Sequence, residues 1–189
     1  MSSTSGININ LIVFDGDDTL WVGLDGGYIS GINYSDNGRD TYTFRKIGDD
    51  FIERNDGQRF RLYPEVRSLL AKLMNMQLLI SMASYNHPTP VKRALHAFEI
   101  DQFILHPEIE YSSQKDKMLK SILRKFSQSG WLVNPSTTLF IDDDHQNHYA
   151  LQMKSIGVHF LKKTSDITNL NELINNPKFQ LVPAQKSLI

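Results

Sequence analysis

LIVFDGDDTLW, residues 11–21, sets three carboxylates, Asp15, Asp17 and Asp18, directly behind a four-residue apolar run. Like charges this close repel, so the chain tolerates them where something positive meets them. Two more short, β-rich runs follow, LLISMA (78–83) and TLFI (138–141). None alternates enough for a strand with one wet face, so all three read as central strands of a sheet covered on both sides. Each ends in a polar, reactive residue: Asp15, Ser84 and Asp142. In an open parallel sheet the C-terminal strand ends share one edge, where ligands bind at the topological switch point. Residues far apart in the chain are therefore expected to meet in one crevice, with the acids at its rim.

Helical patterns lie between these runs. PEVRSLLAKLMN (64–75) opens with proline and glutamate and puts Val66, Leu69, Leu70 and Leu73 on one stripe. PTPVKRALHAF (88–98) is a second helix, and KDKMLKSILRKF (115–126) is the clearest, with its cations opposite Met118, Leu119, Ile122, Leu123 and Phe126. A shorter helix is expected from Asp144 to Gly157, a strand over VHFL (158–161), and a last helix near 168–175. Alternating strands and helices predict an α/β fold: a three-layer, Rossmann-like domain with a central parallel sheet. The segment 22–62 breaks the rhythm. It is rich in Gly, Asp and Asn and carries alternating pieces such as TYTFRKI and RFRLY, so it reads as an inserted β-hairpin flap within a single domain spanning 1–189. The tail, 176–189, has no periodicity; disorder and packing on a neighbour are both open.

Composition sets outer limits. At 189 residues the chain can bury a core without disulfides, and it contains no cysteine. That excludes a thiol nucleophile and a cysteine zinc site, and fits a reducing compartment. Charged residues make up 22% of the chain with a net charge of -1, so no broad attraction to nucleic acid or to an anionic membrane is expected. The N-terminus MSSTSGININ lacks a basic-then-apolar signal pattern, and no apolar run reaches spanning length. A cytoplasmic protein, monomeric or weakly homo-oligomeric, is expected.

The acids require a cation. Asp15, Asp17, Asp142, Asp143 and Asp144 cannot all stay ionised in one cleft without one. Oxygen-only ligands favour a hard ion, Mg2+. Magnesium beside a free carboxylate suits phosphoryl transfer, and a lysine is wanted for the developing charge. Lys115, where loop becomes helix, supplies it; Lys117 is the competing choice.

This arrangement resembles the haloacid dehalogenase superfamily of phosphotransferases. Its first motif stands here as Asp15-Gly16-Asp17-Asp18-Thr19, its second as Ser84, its third as Lys115 and its fourth as Asp142-Asp143. FDGDDTLW, DGQRFRLYPEV (56–66), ASYN and FIDDDHQN are further similar to the eukaryotic-type magnesium-dependent phosphatase branch, which has a minimal cap. The chain departs from that branch at Tyr85-Asn86, where Arg-Thr is usual.

The resemblance implies that Asp15 is a nucleophile forming an aspartyl-phosphate and that Asp17 is the acid and then the base, its carbonyl on the metal. Thr19, Ser84 and Lys115 would serve the substrate phosphate, Thr19 by orienting Asp17 or the turn. Asp15, Asp17, Asp142 and Asp143 would hold Mg2+, with the choice of direct ligand between Asp142 and Asp143 open. Asp144 reads as a helix-end residue, Trp21 and Ser81 as packing, and His145 and His148 as solvent-facing; Asn147 reads either as facing the site or as local helix bonding. An open site admits a phosphorylated small molecule or phosphoprotein; phosphotyrosine and sugar phosphates are both implied by the resemblance. Two other functions stand beside hydrolysis: a catalytically silent scaffold on the same fold, and phosphoryl transfer to an acceptor other than water.

Overall fold

Short β-rich runs without alternation must bury both faces, and the structure shows how. In this computed structural model, which describes residues 6–30, 41–144 and 148–187, Leu11–Phe14 (β2), Leu79–Tyr85 (β7) and Thr138–Asp142 (β9) are adjacent parallel strands. His159–Lys162 (β10) flanks β9 and Glu108–Glu110 (β8) flanks β7, giving the order β10-β9-β2-β7-β8. Strand alternation divides the core. Ile12, Phe14, Ile80, Met82, Leu139 and Ile141 face helices α1 (Val66–Asn75) and α2 (Pro88–Ala97). Leu11, Val13, Leu79 and Phe140 face α3 (Lys115–Gln128) and α4 (Tyr149–Ile156). The result is the expected three-layer α/β sandwich around a parallel sheet. The chain runs outward from β2 through β7 to β8, then returns across the sheet to β9, so the order reverses between β2 and β9. Asp15 and Asp142 stand at that reversal.

The flap is a four-stranded antiparallel sheet built from hairpins, in the order β3-β6-β5-β4: Trp21–Gly23 (β3), Phe44–Gly48 (β4), Phe51–Arg54 (β5) and Arg59–Leu62 (β6). Period-two patterning explains β6, where Phe60 and Leu62 are buried while Arg59 and Arg61 reach water. Described residues of the tail run back over their own domain. Phe179–Leu181 (β11) pairs in parallel with Ile7–Ile9 (β1), and Gln185 O accepts from Leu132 N. The expected last helix is a 3-10 turn, Leu170–Asn175, with Asn169 and Glu172 closing a capping box at its start. Among the described residues, no helix is long and apolar enough to cross a membrane.

Candidate active site

The strand ends converge as the topology requires. One carboxylate oxygen from each of Asp15, Asp142 and Asp143 lies within 4.8 Å of the others. Lys115 enters from the first turn of α3, 1% exposed, and its Nζ donates to Asp15 Oδ1 at 2.6 Å and to the Ala83 carbonyl at 2.5 Å. It also lies 3.4 Å from Asp142 Oδ2. Lys117, one turn face away, is exposed. Burial works against the charge on Lys115, but Asp15 and Asp142 outweigh it, and its pKa rises. Burial and the nearby Asp15 push the Asp142 carboxyl well above the usual carboxylate range. Asp142 Oδ2 is buried and makes no hydrogen bond. Lys115 thus meets two of the three acids, Asp15 and Asp142. An orphaned carboxylate oxygen among oxygen-only donors fits a hard divalent cation.

Asp17 is held differently. Its Oδ1 accepts from the Trp21 indole N–H (2.8 Å) and the Ile29 amide (3.2 Å), and its Oδ2 from the Asn86 side chain (2.6 Å). Burial raises its pKa to about 7 despite these three donors, with Asp15 adding to the rise. A carboxyl poised there can give a proton and take one back.

Ser84 is buried one residue before the end of β7, its Oγ 3.4 Å from the Asn86 amide, and it lines the cleft. Thr19 stands apart. It is fully buried, its amide closes the turn onto the Gly16 carbonyl (3.1 Å), and its hydroxyl makes no hydrogen bond. The turn carries the side chain beneath the loop, so Thr19 is not among the cleft-lining residues. Asp144 caps α4, accepting from the amides of His148 (2.9 Å) and Tyr149 (3.0 Å). His148 is exposed at the cleft edge; His145 and Asn147 lie outside the described residues. The cleft encloses about 400 Å³, and Tyr28, Tyr85 and Tyr149 contribute its aromatic wall.

The acid phosphatase family matches residues 8–170, a span that includes every acid, the lysine and the serine of this site. The chain belongs to the acid phosphatase family. Its fold is that of a haloacid dehalogenase-superfamily hydrolase, the superfamily that its four motifs resemble. A haloacid dehalogenase-superfamily hydrolase from Ehrlichia chaffeensis shares the fold, with a TM-score of 0.60, 13% identity and coverage of 92% of this chain and 98% of that one. The N-terminal part of the protein BF1531 from Bacteroides fragilis, containing a phosphatase domain complexed with Mg, has a TM-score of 0.58 and 16% identity over 95% of this chain. The present chain spans less than half of that protein, 43%. A dehalogenase is matched over 56% of this chain and 45% of its own, with 14% identity and a TM-score of 0.46. No curated protein matches the chain.

The chain also carries cleft-side residues that local sequence pattern does not reveal. Asn86 is one: it bonds Asp17 across 69 positions. Trp21 is another. It is core, stacked on Phe98 at 5.9 Å, and also a donor to Asp17. Its ring explains Gly16, where a Cβ would come within 2.6 Å of Trp21 Cζ2. Lys163, just beyond β10, is 5% exposed and donates to the Asp18 (2.9 Å) and Thr19 (3.0 Å) carbonyls beneath the Tyr63 ring. Its amide bonds the Asp142 carbonyl at 2.9 Å, tying the loop after β2 to the other acidic strand. Burial lowers its pKa to about 8.

Proposed function

We propose that the protein is a Mg2+-dependent phosphomonoesterase that works through an aspartyl-phosphate on Asp15 and prefers aryl phosphates. The observation that carries this reading is the meeting of Asp15, Asp142 and Asp143 within 4.8 Å beside the buried Lys115. Asp15, Asp142, Asp143 and the Asp17 carbonyl would hold Mg2+, with Asp142 the direct ligand because its buried oxygen has no hydrogen bond. When bound, the ion neutralises phosphate oxygens and offsets repulsion among the acids.

The chain's own residues account for the steps. Asp15 Oδ attacks phosphorus, and the bond to the leaving oxygen breaks as Asp17, protonated below about pH 7, donates its proton to that oxygen. Lys115, fixed by the Ala83 carbonyl, balances the charge on Asp15 and on the transferring group, and Ser84 holds a phosphoryl oxygen. Asp17, now ionised, then takes a proton from water. That water attacks phosphorus, the Asp15–phosphorus bond breaks, and inorganic phosphate leaves.

Substrate class follows from the walls. Tyr28 and Tyr85 are 46% and 42% exposed at the cleft, and Tyr111 packs edge-on against Tyr85 at 5.9 Å. Among the described lining residues Lys115 is the one lysine or arginine, and it is committed to the acids. Such a mouth suits a flat apolar leaving group better than a polyhydroxylated one. The test is a panel of p-nitrophenyl phosphate, phosphotyrosine peptide, hexose phosphate and alkyl phosphate, with Mg2+ and with chelator. Metal-dependent turnover with the highest kcat/KM on the aryl esters is expected. Turnover unaffected by chelator, or a hexose phosphate preferred over both aryl esters, would contradict the reading.

A further inference from the structure

Among the described arginines of the flap, Arg45, Arg59 and Arg61 reach water, but Arg54 on β5 is 6% exposed. Its fork is used on two sides. Nε and Nη2 donate to the two Asp56 oxygens at 2.9 and 2.8 Å, and Nη1 donates to the carbonyls of Tyr28 and Ile29, both at 2.9 Å. The guanidinium lies over the Tyr42 ring, 4.2 Å from its centroid. The segment it grips is a strip of the cleft. Tyr28 lines the mouth, Ile29 sends its amide to Asp17 at 3.2 Å, and Ser30 Oγ accepts from the His87 amide at 3.0 Å. Three successive residues are thereby pinned from three directions, by the flap, by the nucleophile loop and by the chain after β7.

We propose that Arg54 is a specificity-determining positioning residue: it holds residues 28–30 against the cleft so that the Tyr28 ring is set at a fixed distance from Asp15, and so selects aryl leaving groups. The inference rests on the reading of the cleft as a phosphomonoester site. An ammonium cannot do this work, because a planar fork serves a carboxylate with one edge and two carbonyls with another, whereas lysine offers a point charge. Removing the fork leaves two carbonyls short of a charge-assisted donor in a buried place, and the segment relaxes.

The test compares Arg54→Lys, Asp56→Asn, Tyr28→Ala and the Arg54→Lys/Tyr28→Ala double variant. Asp56→Asn loosens the same clamp from an exposed position and serves if Arg54→Lys folds poorly. Two readouts need no turnover: hydrogen exchange at the Ile29 amide, and the affinity ratio for phenylphosphonate over methylphosphonate in Mg2+ buffer. Arg54→Lys should speed Ile29 exchange at least about tenfold and cut the ratio about tenfold, with Asp56→Asn intermediate. Tyr28→Ala should cut the ratio similarly, and the double variant no further. Unchanged exchange, equal weakening of both phosphonates, or additive losses in the double variant would overturn the proposal. Absence of phosphatase turnover with these shifts intact would instead remove the hydrolase reading and leave the clamp standing.

Discussion

Two sets of carboxylates in this molecule live under opposite electrostatics. On the flap and its flank, Glu53 accepts from Arg45 and Arg59, Asp56 from Arg54, and Glu99 from Lys46, and these hydrogen bonds hold all three below their ordinary pKa. At the edge of the central sheet, Asp17 and Asp142 are buried beside Asp15, and burial followed by repulsion drives both upward. The first set is already satisfied by protein cations. The second, despite the donors around Asp17 and Lys115 beside Asp142, still favours a proton or an ion from outside. Folding does not require that discomfort, and its concentration at one sheet edge is what marks the edge as chemical.

The widest break between the two sets comes from the proposed nucleophile. Asp15→Asn should lower kcat at least about 10⁴-fold, with the far-ultraviolet dichroism unchanged, since Asp15 sits at a strand end and not in the core. Turnover near the parent rate would erase the distinction. Asp17→Asn should cost about 10²- to 10⁴-fold, less for p-nitrophenyl phosphate than for an alkyl ester, because a good leaving group needs its proton least. In the parent, kcat/KM should fall as pH rises through about 7, where Asp17 loses that proton.

Stability sharpens the same contrast. Asp17 has a folded pKa of about 7 against an ordinary 3.8, so the folded state holds a proton that the unfolded state has lost across that window. This contribution is complete below about pH 4 and disappears as pH rises through about 7, and Asp142 acts in the same direction. Chelator-treated protein should therefore lose Tm from about pH 5 to about pH 8, and Mg2+ should raise Tm more at the upper pH, where the ion replaces missing protons. A Mg2+ effect equal at both pH values would argue against ion binding by these acids. The smallest effect belongs to the flap. Glu99→Gln removes an exposed partner of Lys46 and should leave kcat/KM unchanged and Tm within about 2 °C.

The contrast also tells how far the sequence speaks. Largely apolar runs without alternation made the three central strands readable, and the residue ending each run made the crevice readable, because strand direction alone brings those ends together. Glu108–Glu110 escaped because EIE has one apolar residue and becomes a strand only by pairing with β7. Ile7–Ile9 and Phe179–Leu181 escaped for the same reason, each being defined by a partner more than 160 positions away. The site divides likewise. Asp15, Ser84, Lys115, Asp142 and Asp143 were visible from their strand-end and helix-start positions. Asn86, Lys163 and Arg54 act through side-chain bonds that span the chain or join the flap to the cleft, and no local pattern announces them. Thr19, expected to serve the phosphate by orienting Asp17 or the turn, is buried with its amide on the Gly16 carbonyl.

The central claim is that Asp15, beside its ion and its lysine, takes the phosphoryl group. Turnover of p-nitrophenyl phosphate in Mg2+ should be quenched in acid within the first catalytic cycles and the peptide spanning residues 11–21 weighed. A gain equal to one phosphoryl group, located on Asp15 and absent with chelator or in Asp15→Asn, is the expected result. Steady release of phosphate with that peptide never modified, or modification of a different residue, would contradict it.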